Sequence, residues 1–266
     1  MNNNLANIQF KIRPENSFTI DEQLAKNLAI TLNRIKGKAD LEISQHGELD
    51  INSFINFRIN KRAKIIPNLN LFNETIETRG LTVYLVIDCS YSMERVEREV
   101  RRLTATIFKA LEKCPFIDFK VLAYSGYNGI TYLQEINKID DVKYIGADGK
   151  HNYTPTYGAL NYVAEKIKKS QDKKLIILIT DGYPEDGKNS SSTLQDLTER
   201  SIINIKNQRV EFFTIFLNIH SGVSSVTERL RKMFKHGMYE TRDLKDAEKI
   251  MIKKLSESVE KINQSG

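Results

Sequence analysis

The sequence predicts an α/β fold: a doubly wound, mostly parallel sheet with helices on both faces, preceded by a helical N-terminal extension. Three observations predict it. From residue 80 onward, apolar runs of strand length alternate with amphipathic helical segments, the pattern of a parallel sheet crossed by helices. Within that region Leu81–Cys89 and Lys174–Asp181 are nearly continuous apolar runs, as expected for strands covered on both faces. Residues 1–79 lack the alternation and carry an amphipathic helical stretch instead, so the chain divides into an extension (1–79) and a main domain (80–266).

In the main domain, Leu81–Cys89 is the first strand. Met93–Lys113 follows as a helix, with Val96, Val100, Leu103, Ile107, Phe108 and Leu111 on one face and Ser92 at the N-cap position. Phe116–Tyr124 reads as a strand, Ser125–Gly129 as a turn and Ile130–Ile136 as a short returning strand. Thr154–Lys169 is a helix opened by Pro155, and Lys174–Asp181 is the most strand-like run of the chain. Gly182–Gly187 is a loop. Thr193–Asn207 (helix), Val210–Leu217 (strand), Val223–Lys235 (helix), Met238–Glu240 (short strand) and Asp243–Ile262 (helix) complete the alternation. In the extension, Ile20–Lys36 places Leu24, Leu28, Ile30, Leu32 and Ile35 at helical spacing, with Asp21 and Glu22 near the start. Leu49–Arg62 reads as a second helix, and Pro67 breaks any long element after it.

With 266 residues and 40% hydrophobic content the chain can build a substantial core. The net charge of +6 is dispersed, as in Glu94-Arg95-Val96-Glu97-Arg98-Glu99, and reads as a soluble Lys-rich surface. A basic stripe interleaved with aromatics is missing, which argues against a nucleic-acid partner. The two cysteines, Cys89 and Cys114, make no disulfide framework. The first residues show no apolar signal core, and no apolar run approaches the roughly 18 residues of a membrane span, so the expectation is a cytoplasmic protein without a membrane partner.

The candidate site lies at the strand ends. Asp88-Cys89-Ser90-Tyr91-Ser92 puts one carboxylate and two hydroxyls at the carboxyl end of the first strand. Asp181 ends a second strand, and Thr154 opens a helix. Ligands of such sheets bind beyond the carboxyl ends of the strands, so all three segments should reach one rim. Asp88, Ser90, Ser92, Thr154 and Asp181 offer only oxygen, with no His or Cys donor, which suits a hard divalent cation such as Mg2+, or Mn2+ or Ca2+ in its place. Each residue also has a plain structural reading: Ser92 and Thr154 as helix caps, Asp181 before Gly182 as a turn residue. Glu185 and Asp186 read as a solvated loop, and His151 as an exposed loop residue. Tyr91, Tyr153 and Tyr183 flank the three motif segments and could form an aromatic rim or pack into the core.

The Asp-x-Ser-x-Ser motif at Asp88, Ser90 and Ser92, followed by Thr154 and Asp181, closely resembles the metal-ion-dependent adhesion site (MIDAS) of von Willebrand factor A domains, over residues from about 80 to 262. The resemblance implies a Rossmann-like doubly wound sheet and one Mg2+. Ser90, Ser92 and Thr154 would then be direct ligands, with Asp88 and Asp181 holding metal-bound waters. It further implies capture of an Asp or Glu from a protein partner at the open metal position. A finer resemblance is to the branch containing the metal-site subunit of cobalt chelatase and the activation protein of nitric oxide reductase. Thr154-Pro155-Thr156-Tyr157-Gly158-Ala159-Leu160 is similar to that branch's Thr-Pro-x-Gly-x-Ala-Leu run, with one extra residue before Gly158. Thr180-Asp181-Gly182-Tyr183-Pro184-Glu185-Asp186 is similar to its Thr-Asp-Gly-x-Pro-x-Asp run, and Gly47-Glu48-Leu49-Asp50 to its Gly-x-Leu-Asp element. The branch works with MoxR-type AAA+ ATPases, which implies such a partner here. The long acidic region of the chelatase subunit is missing from this sequence.

Enzymatic readings find less support. No G-x-G-x-x-G follows the first strand, and no G-x-x-x-x-G-K-[ST] occurs. No His is placed to serve Ser90 or Ser92 as a base. The expectation is a non-catalytic binding or adaptor protein; a nucleic-acid-associated protein and a metal-dependent hydrolase are the alternatives.

Overall fold

Strand β5 (Leu81–Asp88) lies at the middle of the molecule, buried along its whole length. The computed structural model describes residues 5–7, 17–32, 39–44, 48–49, 54–55, 58, 72–77, 81–114, 117–147, 149–168, 173–208, 210–218 and 224–264. On one side β5 pairs in parallel with β6 (Ile117–Tyr127), and on the other with β8 (Lys173–Thr180). Strands β9 (Glu211–Leu217) and β10 (Met238–Thr241) extend the sheet in parallel beyond β8. Beyond β6 the direction reverses: β7 (Ile130–Ile136) returns antiparallel through a tight hairpin. Asn128 (φ 49°) and Gly129 (φ 76°) both take positive φ there, the mark of a two-residue hairpin turn. Strand β6 therefore runs three residues further than its apolar pattern suggests, because pairing with β7 carries it on through Tyr127.

The remaining edge belongs to the N-terminus. Strand β1 (Leu5–Asn7) pairs in parallel with β7, which gives the sheet seven strands in the order β1-β7-β6-β5-β8-β9-β10. The fold is thus the predicted mostly parallel sheet with helices on both faces. Alternate residues of each central strand serve opposite cores. Val83, Leu85 and Ile87 of β5, with Leu175, Ile177 and Ile179 of β8, meet helices α1 (Glu22–Leu32), α2 (Glu97–Leu111) and α6 (Leu244–Gln264). Tyr84, Val86, Ile176 and Leu178 face α3 (Thr156–Ile167), α4 (Ser191–Lys206) and α5 (Ser224–Phe234). Two buried faces explain why these strands read as unbroken apolar runs.

Helix α2 starts four residues later than expected. Tyr91–Arg95 forms a 3-10 turn, and Val96 (φ −120°) separates it from the α-helix that opens with Glu97 and Glu99. Ser92 is inside that turn and caps nothing. At α4, by contrast, Ser190 is a true N-cap, its Oγ accepting from the Thr193 N–H at 3.3 Å.

In the N-terminal part, α1 forms within the predicted helix and lies across α2 and α6. Ala25, Leu28, Ala29 and Leu32 enter the same core as α2, while Ile30 points outward. Its start is fastened by Asp21, whose Oδ1 accepts from Leu24 N at 2.9 Å and whose own N–H donates to Thr106 Oγ1 at 3.0 Å. Arg102 then bridges Asp21 and Glu248 at 3.3 and 3.0 Å, joining α1, α2 and α6. Leu28→Ala should therefore destabilise the whole domain by about 2–5 kcal/mol, measurable as a shift of the urea midpoint with one cooperative transition. After α1 in the chain, the extension also contains strands. β2 (Ala39–Ser44), β3 (Glu48–Leu49) and β4 (Phe72–Glu77) form an antiparallel sheet in the order β2-β4-β3. The helix expected over 49–62 is corrected at its start, where Leu49 pairs with Phe72; residues 54–55 and 58 are helical, and the rest lies outside the described residues. Among the described residues, no helix is long and apolar enough to cross a membrane.

Candidate metal centre

Strands β5 and β8 are neighbours whose connections leave toward opposite sides of the sheet, α2 after β5 packing on one face and α4 after β8 on the other. A crevice opens at the carboxyl ends of such a pair. Asp88 is the last residue of β5 and Thr180 the last of β8, so sheet pairing alone places Asp88 and Asp181 at this crevice.

The side chains there form one oxygen cluster. Asp88, 1% exposed, accepts through Oδ1 from Ser90 N at 2.9 Å and through Oδ2 from Thr180 Oγ1 at 2.6 Å. Ser90 Oγ and Ser92 Oγ lie 3.2 Å apart, and Ser92 Oγ donates to Asp181 Oδ1 at 2.7 Å. Four of the five candidate residues are thus linked through hydrogen bonds within the cluster. Thr154, 5% exposed, reaches the same rim from the loop before α3: a Cβ at Gly182 would stand 3.3 Å from its Oγ1. Glycine after Asp181 lets the two loops approach this closely. Backbone bonds hold the approach, since Thr154 O accepts from Glu185 N at 3.0 Å and from Thr156 N at 2.8 Å. On the other side, Tyr153 N donates to Gly126 O at 3.1 Å and Pro155 lies against Gly126.

Burial foremost, and then the nearby Asp181 carboxylate, push the Asp88 carboxyl up to about 7, although hydrogen bonds from Thr180 and Ser90 act in the opposite direction. Two carboxylates in one buried cluster repel, and a divalent cation among them would relieve the repulsion. The donor set suits such an ion. Adjacent ligands of an octahedral Mg2+ are about 3 Å apart, close to the Ser90–Ser92 hydroxyl spacing. Among the described residues no group of three or more His, Cys, Asp or Glu side chains gathers as a metal cluster, so hydroxyls are essential to any cation site at this rim.

Other residues depart from their sequence reading. Asp186, read as solvated, is 0% exposed, while Glu185 beside it is exposed. His151 is half-buried, its ring 4.1 Å from that of Tyr132 and edge-on to Tyr127. Of the three flanking tyrosines, only Tyr91 is exposed (59%). Tyr153 packs over Gly187, and Tyr183 joins the α3–α4 core while its OH donates to Gln195 at 2.9 Å. Sequence reasoning gave Thr180 no role of its own. Its hydroxyl is the shortest tie to Asp88, and it also accepts from Gly182 N at 3.2 Å. The available signal was its place immediately before Asp181 at the end of a strand adjacent to β5.

Comparison with known proteins agrees with this architecture. The family model of the von Willebrand factor type A domain matches residues 82–253, and the chain belongs to that family. No curated protein matches the chain by sequence. Among solved structures, the pilus adhesin SpaC of Lactobacillus rhamnosus GG is similar, with TM-score 0.55 and 12% identity over 72% of this chain and 32% of the adhesin. Proximal thread matrix protein 1 of the mussel byssus superposes with TM-score 0.50 and 14% identity, over 68% of this chain and 47% of its own. The chain therefore spans about a third of the adhesin and under half of the mussel protein. At these identities the likeness is one of fold.

Proposed function

We propose that this chain is a metal-dependent protein-binding module of the MIDAS type. The domain class is commonly a protein-interaction module, and the metal dependence is our reading of the rim. The observation that carries it is the hydrogen-bonded set Asp88–Ser90–Ser92–Asp181, in which two neutral hydroxyls stand between two buried carboxylates. Ser90, Ser92 and Thr154 would ligate Mg2+, or Mn2+ or Ca2+ in its place, while Asp88 and Asp181 would accept from bound waters. Mg2+ held mainly by neutral oxygens keeps an electrophilic position for a further carboxylate. In this chain Thr180 and Ser90 N–H orient Asp88, and Ser92 orients Asp181. The incoming group would be an Asp or Glu of a protein partner.

The Thr154–Leu160 and Thr180–Asp186 runs support a MoxR-type AAA+ ATPase as the machine this module serves, in client remodelling or metal insertion. The role is that of an adaptor rather than an enzyme, in the cytoplasm. The test uses the purified chain and the MoxR-type ATPase of the same organism, with association measured in Mg2+ and in EDTA. Association should depend on Mg2+ and be lost in Ser90→Ala/Ser92→Ala. Equal association in EDTA would refute the metal-bridged reading.

A further inference from the structure

Asp186 belongs to no ligand set, yet it is the most completely buried carboxylate near the rim. Both of its oxygens are occupied. Oδ1 accepts from Lys188 N at 2.9 Å and Asn189 N at 2.8 Å, and Oδ2 from Asn189 Nδ2 at 2.6 Å and Tyr157 OH at 3.2 Å. Burial alone would raise this carboxyl, but the donors from Asn189, Lys188 and Tyr157 outweigh it and hold the group below its usual range. Four donors leave it little capacity to reach a cation.

What those bonds join is informative. Tyr157 stands three residues after Thr154 in the first turn of α3, and Asp186 five residues after Asp181. The Asp186 carbonyl accepts from Gly129 N at 2.7 Å, which ties in the tip of the β6–β7 hairpin. The preceding residue donates its N–H to Thr154 O, and the following Gly187 receives the Tyr153 ring against it. The residues on either side of Asp186 thus touch Thr154 itself and the residue before it.

We infer that Asp186, acting with Tyr157, is a positioning residue that sets where the Thr154 hydroxyl stands relative to Ser90, Ser92 and Asp181. This rests on the metal-binding reading above. The geometry favours it over a purely local loop role because the carboxylate reaches out of its own loop to α3, and the loop backbone bonds Thr154 directly. Thr154 lies on a different segment from the other four residues, so its place at the rim depends on loop-to-loop bonds of this kind.

The test is Mn2+ titration of the full chain, by calorimetry, for wild type, Asp186→Asn and Tyr157→Phe, with thermal melting and amide exchange of Glu185 in the metal-free protein. Tyr157→Phe removes one hydroxyl and leaves every backbone tie, so it keeps the test valid should Asp186→Asn not fold. Both variants should bind Mn2+ about ten- to a hundred-fold more weakly than wild type. The Glu185 amide, which donates to Thr154 O, should exchange faster in both. Wild-type Mn2+ affinity in a folded variant, or weakened affinity with unchanged Glu185 exchange, overturns the positioning role alone. Failure of the wild type itself to bind Mn2+ overturns the metal reading, and this inference with it.

Discussion

Asp88→Asn is expected to abolish Mg2+ binding and, at the same time, to raise the stability of the metal-free chain at neutral pH. Asp88 is buried within the oxygen cluster, and burial together with Asp181 raises its carboxyl from 3.8 to about 7. Between those two values the folded chain holds a proton that the unfolded chain has released. Metal-free stability must then fall as pH rises through that window, by an amount on the order of 2–4 kcal/mol. Asparagine carries no charge, keeps an oxygen for the Ser90 N–H, and can donate to Thr180 Oγ1 once that hydroxyl turns. The variant should show a flat stability profile between about pH 4 and 7 and a higher melting temperature above it. In the wild type, cation binding has to displace the Asp88 proton, so Mg2+ affinity should weaken about ten-fold per pH unit below about 7. Calorimetric titrations and thermal melts across that range measure both effects. A variant that still binds Mg2+, or that melts below wild type at pH 8, contradicts this account.

A residue can thus be unfavourable for folding and still be required by the proposed metal centre, and this conflict is what makes the candidate cluster legible in the sequence. Carboxylates and hydroxyls at the buried ends of apolar strands need a reason to be there, and Asp88, Ser90 and Asp181 stand where strand patterning ends. The strands were legible because β5 and β8 are covered on both faces and could not alternate. The features that escaped depend on partners far away in sequence. Asp186 lies in Gly182-Tyr-Pro-Glu-Asp-Gly187, a polar turn by composition, and donors on Lys188, Asn189 and the distant Tyr157 make its burial tolerable. Strand β1 has three residues and owes its existence to the open edge of β7. Glu48 and Leu49 are held as a strand by pairing with β4, which local propensity does not encode. Ser92 stands inside the 3-10 turn rather than at a cap, and its hydroxyl donates to Asp181 Oδ1 at 2.7 Å, a partner 89 residues away.

The largest stability loss should come from a pair outside the cluster. Glu97 and Arg101 are one turn apart on α2, 8% and 1% exposed, with Arg101 Nη1 3.3 Å from Glu97 Oε1. The pair also serves a backbone. Arg101 Nη1 donates to Ile145 O at 2.8 Å, and Glu97 Oε2 accepts from Ala147 N at 3.1 Å. Ile145 and Ala147 are buried, so these side chains satisfy groups that water cannot reach. Gly146 between them sits at φ +153°, and a Cβ there would come within 2.6 Å of Glu97 Oε2. The segment leading toward Thr154 is thereby clamped to the helix that follows the Asp88 motif. Arg101→Met leaves a buried Glu97 without its counter-charge and an unsatisfied Ile145 carbonyl, and should destabilise the fold by about 3–5 kcal/mol. Glu97→Gln keeps an acceptor for Ala147 but strands the guanidinium, and should be comparably harmful. In the double variant the stranded charge disappears, so the combined loss should be smaller than the two single losses added together. Urea denaturation of the four proteins closes this cycle. Additive losses would mean that the two side chains hold residues 145–147 independently rather than as a buried ion pair.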